Sequence, residues 1–176
     1  MLASPLVRIL PSLVLALGAC GVKPAAAPLA NTFTSSLTFV ELRVYIGPQL
    51  FEKLHADGTI EFAMRPGDWE SVGRITESGT AFRADGIRLG SLASDGTFRL
   101  PTGEASSWKL VGETLLFRTA PLPGESPKVL SLTIDARGML RGFEDPAPPY
   151  RFEGLTDAGS RRAALFMYAV VLTGRY

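Results

Sequence analysis

From Phe39 onward, apolar and polar residues alternate with a period of two, and the alternation is cut at regular intervals by pairs ending in glycine. Phe39, Leu42, Val44 and Ile46 mark a first strand, and Ile60 and Phe62 a second. Ile87, Leu89 and Leu92 mark another, followed by Phe98 and Leu100 and then by Leu115 and Phe117 beyond a Gly112-Glu113 turn. Val129–Ile134 runs into Met139–Phe143 across Arg137-Gly138. Side chains of a strand point alternately to its two faces, so this pattern predicts half-buried strands. Their spacing of about 8 to 12 residues is that of an antiparallel meander, either a twisted sheet or a barrel. Gly47–Leu54 reads as a strand or as one helical turn opened by Pro48, with the strand favoured.

The turns repeat. Val72–Ala81 (VGRITESGTA) aligns with Leu89–Phe98 (LGSLASDGTF) at an offset of 17, and Gly86 aligns with Gly103 at the same offset. The motif returns in Leu54–Ile60 (LHADGTI) and more loosely in Ile134–Leu140 (IDARGML). Asp-Gly between alternating runs is a strong hairpin signal, because glycine takes positive φ without a Cβ clash. Ala120–Pro127 and Asp145–Pro149 are proline-rich and are expected to be loops, since proline cannot donate to a ladder.

The C-terminal segment has a different period. Thr156 or Asp157 can cap a helix over about 157–172, and Ala163–Leu172 is apolar on every side. Ten apolar residues are too few to cross a bilayer. The run is expected to be enclosed by the sheet, or else to turn one face to a partner or a lipid. The fold class is therefore mainly β, an antiparallel hairpin meander with one C-terminal α-helix.

The N-terminal region carries an address. Ile9–Leu17 is apolar apart from Pro11 and Ser12, Arg8 is the charged residue before it, and Leu17-Gly18-Ala19-Cys20 ends it. Leu-Gly-Ala-Cys resembles the lipobox of bacterial lipoproteins. That resemblance implies a signal peptide at 1–19, cleavage before Cys20, diacylglycerol on the Cys20 thiol and acylation of the new amine. Gly21 in place of an aspartate favours the outer membrane. Residues 20–36 are rich in Ala, Pro, Ser and Thr and read as a flexible tether. Residues 37–176 form a single domain. The expected partners are a membrane, through the lipid on Cys20, and an envelope protein or a small apolar ligand.

Composition narrows the chemistry. Removing Arg8 with the signal leaves 17 basic side chains against 17 acidic ones. Neutrality without a basic block argues against nucleic acid. Cys20 is the sole cysteine, so no disulfide is expected within the chain. His55 is the sole histidine and sits beside a turn, where a solvated strand-end residue is expected. Asp57, Asp85 and Asp95 are each explained by the turn they precede. The pairs Glu70 with Asp68 and Glu144 with Asp145 have no evident shared site. No catalytic, metal or cofactor residue is assigned.

Trp69, Trp108, Tyr150, Phe166 and Tyr168 are the candidate ligand or partner contacts, with the tryptophans expected mainly in the core. The leading expectation is a lipid-anchored envelope lipoprotein acting as a non-catalytic binding or structural module. A ligand carrier with a lipocalin-like cavity is the alternative, although Gly67-Asp68-Trp69 falls too late in the chain for that family's early Gly-x-Trp signature. A hydrolase is third, and convergent buried carboxylates would favour it.

Overall fold

The structure is a computed structural model, and it describes residues 36–119, 126–142 and 149–172. Cys20, Phe143, the Glu144-Asp145 pair and most of the two proline-rich loops lie outside the described residues. The strands are β1 (Leu42–Ile46), β2 (Gln49–Leu54), β3 (Thr59–Arg65), β4 (Asp68–Ile75), β5 (Thr80–Arg83) and β6 (Arg88–Leu92). They continue as β7 (Thr97–Arg99), β8 (Ala105–Val111), β9 (Thr114–Arg118), β10 (Val129–Ile134), β11 (Leu140–Arg141) and β12 (Tyr150–Glu153), and helix α1 (Ala158–Leu172) follows.

All twelve strands belong to one sheet in the order β11-β10-β9-β8-β7-β6-β5-β4-β3-β2-β1-β12, and every pairing is antiparallel. The ends of that order meet. Met139 bridges to Arg151, and the Phe152 N–H donates to the Gly138 carbonyl at 2.8 Å. The meander thereby becomes a nearly closed barrel. Gln49–Leu54 is strand β2, entered through a turn at Gly47-Pro48, and the first strand begins at Leu42, with Phe39 packing on the core from outside it.

The repeated turns have one construction. At the first, the Gly58 N–H donates to the His55 carbonyl, and the His55 N–H to the Thr59 carbonyl. The same pair of bonds recurs at Thr76–Thr80, Ala93–Thr97 and Asp135–Met139. Among the described residues only glycines have positive φ. A two-residue Asp-Gly turn of the commonest hairpin type needs positive φ at both positions, so these turns are longer. Each is a tight turn followed by glycine in a one-residue bulge. Asp57 and Asp95 complete it by accepting the N–H two residues on, at 2.9 and 3.0 Å.

Inside the barrel lies α1. Its start is fixed by reciprocal caps: the Ser160 N–H donates to Asp157 Oδ1 at 2.7 Å, and Ser160 Oγ accepts the Asp157 N–H at 3.0 Å. Fifteen residues make it about 22 Å long. Every residue from Ala163 to Val170 is at most 3% exposed, so no face reaches solvent. These side chains and the inward positions of the strands form one core, including Leu42, Val44, Leu54, Ile60, Ile75, Leu92, Phe98, Leu110, Leu115 and Phe152. Enclosure explains the helix without a polar face. No helix among the described residues is long and apolar enough to cross a membrane.

Candidate functional site

The five candidate contact residues separate into three places. Trp108 and Phe166 are core residues: the Trp108 ring stacks on Phe98 at 4.5 Å, and Phe166 packs against both at 5.8 and 5.9 Å. Tyr168 is buried nearby on α1 and meets Tyr150 of β12 edge-on at 5.2 Å. Burial drives the Tyr168 hydroxyl pKa upward. Trp69 is apart from these, half-buried on β4 beneath the Lys53 ammonium, which sits 3.6 Å from the ring centroid. A cation over an aromatic face is an attractive contact and covers that indole.

Beside Trp69 runs a polar strip. His55 Nδ1 lies 3.1 Å from Glu41 Oε2, and Nε2 lies 3.0 Å from Glu61 Oε2. The hydrogen bond with Glu61, followed by the charge of Glu41, raises the His55 pKa above its ordinary value. The imidazole at this strand end is thus braced on both sides. Both ring nitrogens face carboxylates, and no cluster of three metal-ligating side chains occurs among the described residues.

The outer wall departs from regular pairing between β7 and β8. Thr97 pairs with Lys109 and Arg99 with Ala105, so Phe98 alone faces Ser106, Ser107 and Trp108. On the other flank, β8 begins to pair with β9 only at Trp108. Ser106 and Ser107 therefore pair with neither neighbour. Ser106 Oγ closes part of the gap by accepting the Trp108 N–H and donating to the Trp108 carbonyl. The small side chains leave a groove of about 280 Å³, bounded by Thr97, Ser106, Ser107, Lys109, Leu116, Arg118 and Val129.

The groove brings hydroxyls, apolar surface and two cations together. Lys109 is held by Asp95 at 3.1 Å, whereas Arg118 makes no ion pair with another described residue. Val129, opposite Arg118 in the ladder, is 58% exposed. A guanidinium beside hydroxyls and apolar side chains can hold an anionic group on an otherwise apolar ligand. A second depression, of about 510 Å³, lies over β3–β5, but there the pairing of Gly73 with Arg83 is regular and Arg83 is committed to Asp85. None of the five aromatic candidates forms the groove wall except Trp108, whose ring faces the core. The signal available in the sequence was Ala105-Ser106-Ser107, three small residues where the alternation should supply larger ones.

One further group was missed. Glu52, on β2, is 2% exposed and is the only buried carboxyl among the described residues. Desolvation pushes it up to about 8. A single buried carboxyl supplies no convergent pair of the kind a glycoside hydrolase uses. Asp68 and Glu70 are both exposed on β4. Comparison with protein-family models, with curated proteins and with solved structures finds no match to this chain.

Proposed function

We propose that this protein is a lipid-anchored lipoprotein of the bacterial envelope that works as a non-catalytic binding module through the outer wall of its barrel. The observation that carries the reading is the placement of α1: a small-ligand carrier uses the barrel interior, and here that interior holds the chain's own helix. Binding then falls to the wall, and the groove at the β7–β8 irregularity is the part of the wall with convergent polar and apolar groups.

The chain's entry point supports the anchor geometry. The Arg162 guanidinium donates two hydrogen bonds to the Ser36 carbonyl, at 3.0 and 2.7 Å, and fixes the start of the domain at the end where α1 begins. A lipid on Cys20 would hold that end toward the membrane. Arg118, Ala105 and Val129 lie at the far ends of their strands, so the groove would face away from the bilayer.

The test is a pull-down of the lipidated protein from detergent-solubilised envelope. The expected result is a co-purifying protein or lipid that is lost in Ser107→Trp, which fills the groove, and in Arg118→Glu, which reverses its charge. Recovery of neither from the unaltered protein overturns the reading. Cys20→Ala is expected to abolish lipid labelling, and normal labelling in that variant would defeat the anchor.

A further inference from the structure

Glu52 sits where an apolar residue belongs. In the ladder it is opposite Val44 of β1 and Phe62 of β3, on the inward face shared with Leu54. Its Oε1 is buried without a hydrogen-bond partner. Among the described residues the titratable groups that face it are Tyr150 from β12 and Tyr168 from α1, and burial first, with the Glu52 charge adding to it, raises the pKa of both phenols. Arg43, Lys53 and Glu61 share one ladder row on the opposite, outward face, so none of them can neutralise a carboxylate there. An uncompensated buried charge is among the most costly features a core can hold.

The wall around Glu52 also contains the seam where the barrel closes. The β1–β2 register shifts between Val44 and Tyr45, beside the Glu52 pairing. β12 is fully paired to β1, but across the closing seam, among the described residues, it has the Met139–Arg151 bridge and the bond to Gly138 alone. The Gly47 N–H reaches the Pro149 carbonyl at a long 3.3 Å. We propose that Glu52 is a proton-controlled latch: with a neutral carboxyl the β1–β2–β12 wall closes on α1, and loss of the proton opens that wall at its Gly47 end so that the carboxylate reaches water.

The direction follows from linkage. The group is neutral in the closed barrel up to about pH 8 and ionised in an open or unfolded chain above 4.5, so closure is strongest in acid. As pH rises through this window, the opening constant grows by up to about tenfold per pH unit, and above it the effect levels off.

Hydrogen exchange of the full chain in detergent, from about pH 5 to about pH 9, tests this when Glu52→Gln is measured beside it, because the intrinsic pH dependence of exchange then cancels. The expected result is that amides of β2 and β12 lose protection with pH in the wild type relative to Glu52→Gln. Coincident profiles overturn the latch. Infrared titration of the wild type gives a second reading that does not depend on the variant folding. A protonated carboxyl stretch that persists at neutral pH and disappears in alkali supports the proposal, and its absence at neutral pH refutes it.

Discussion

Both ends of the barrel are built from glycine turns, and those at one end are mostly packed where those at the other are open. At the end where α1 begins, Gly58, Gly96 and Gly138 each lie against the backbone of the next strand, and a Cβ there would overlap the carbonyl oxygen of Ile75, Leu110 or Phe152. Each of those glycines also accepts a hydrogen bond from the N–H of the residue it touches, at 2.8 to 2.9 Å. At the other end, a Cβ added to Gly47, Gly67, Gly86 or Gly103 would meet nothing within 4 Å. Positive φ is common to all of them. What differs is whether the glycine itself is pressed against the backbone of the next strand, and at Gly138 that contact helps join β12 to the other side of the sheet.

The most forceful way to break this contrast is to substitute both kinds of glycine alike. Gly96→Ala is expected to cost about 3 kcal/mol or more, since backbone strain is joined by a clash that only movement of β8 can relieve. Gly103→Ala meets open space and is expected to cost about 1 to 2 kcal/mol, the ordinary cost of positive φ for an L residue. Urea unfolding with unchanged slope reads the difference directly. Equal losses at the two positions would mean that the packed turns are no more constrained than the open ones.

The offset of 17 makes that difference invisible in the sequence, because it aligns Gly79 with Gly96 and Gly86 with Gly103 without indicating which pair meets a neighbouring strand. The hairpins themselves were legible, since alternation and Asp-Gly pairs act locally, and the C-terminal run was legible as a helix in need of enclosure. The loosest copy of the motif, around Gly138, gave no hint that it closes the barrel, because closure joins residues distant in the chain. Glu52 was hidden for another reason. The β1–β2 bulge shifts the register beside it, and Gly47–Leu54 reads as a strand or as one helical turn, so its sequence does not fix which way Glu52 faces. The groove over β7–β9 arises from a missing pairing, which no single strand's pattern records.

A smaller effect sharpens the same comparison at the start of α1. Ser160 is fully buried, and its hydroxyl accepts the Thr156 and Asp157 N–H groups at 2.9 and 3.0 Å while donating to the Asp157 carbonyl. Ser160→Ala leaves those donors unsatisfied and is expected to cost about 1 to 2 kcal/mol. Arg162→Met removes the two bonds to Ser36 and is expected to cost about 0.5 to 1 kcal/mol, because this guanidinium is partly solvated. Hydrogen exchange localises the second loss. Faster exchange around Leu37 without change at the open-turn end is the expected pattern, and a uniform change across the barrel would show that the clasp is not local.

The smallest effect is also the one whose sign is easiest to mistake. His55 belongs to the packed end, where Glu41 joins the entering chain to the turn at Ala56 through its N–H at 3.0 Å. With both ring nitrogens beside carboxylates, the imidazolium is favoured in the folded state, and its pKa lies above the 6.5 of the unfolded chain. The folded protein therefore holds the proton over a range of pH in which the unfolded chain has released it. His55 contributes fully below the unfolded value, and that contribution is lost as pH rises through the folded one. Because Glu52 also weakens the barrel as pH rises, the measurement belongs in a Glu52→Gln background. There, the stability difference between His55 and His55→Gln is expected to shrink from acid to alkaline pH. Solvent screens this partly exposed cluster, so the change is expected to be slight and to diminish further in high salt. A difference that grows with pH would mean that the neutral imidazole, accepting or donating a single bond, is the form the turn prefers.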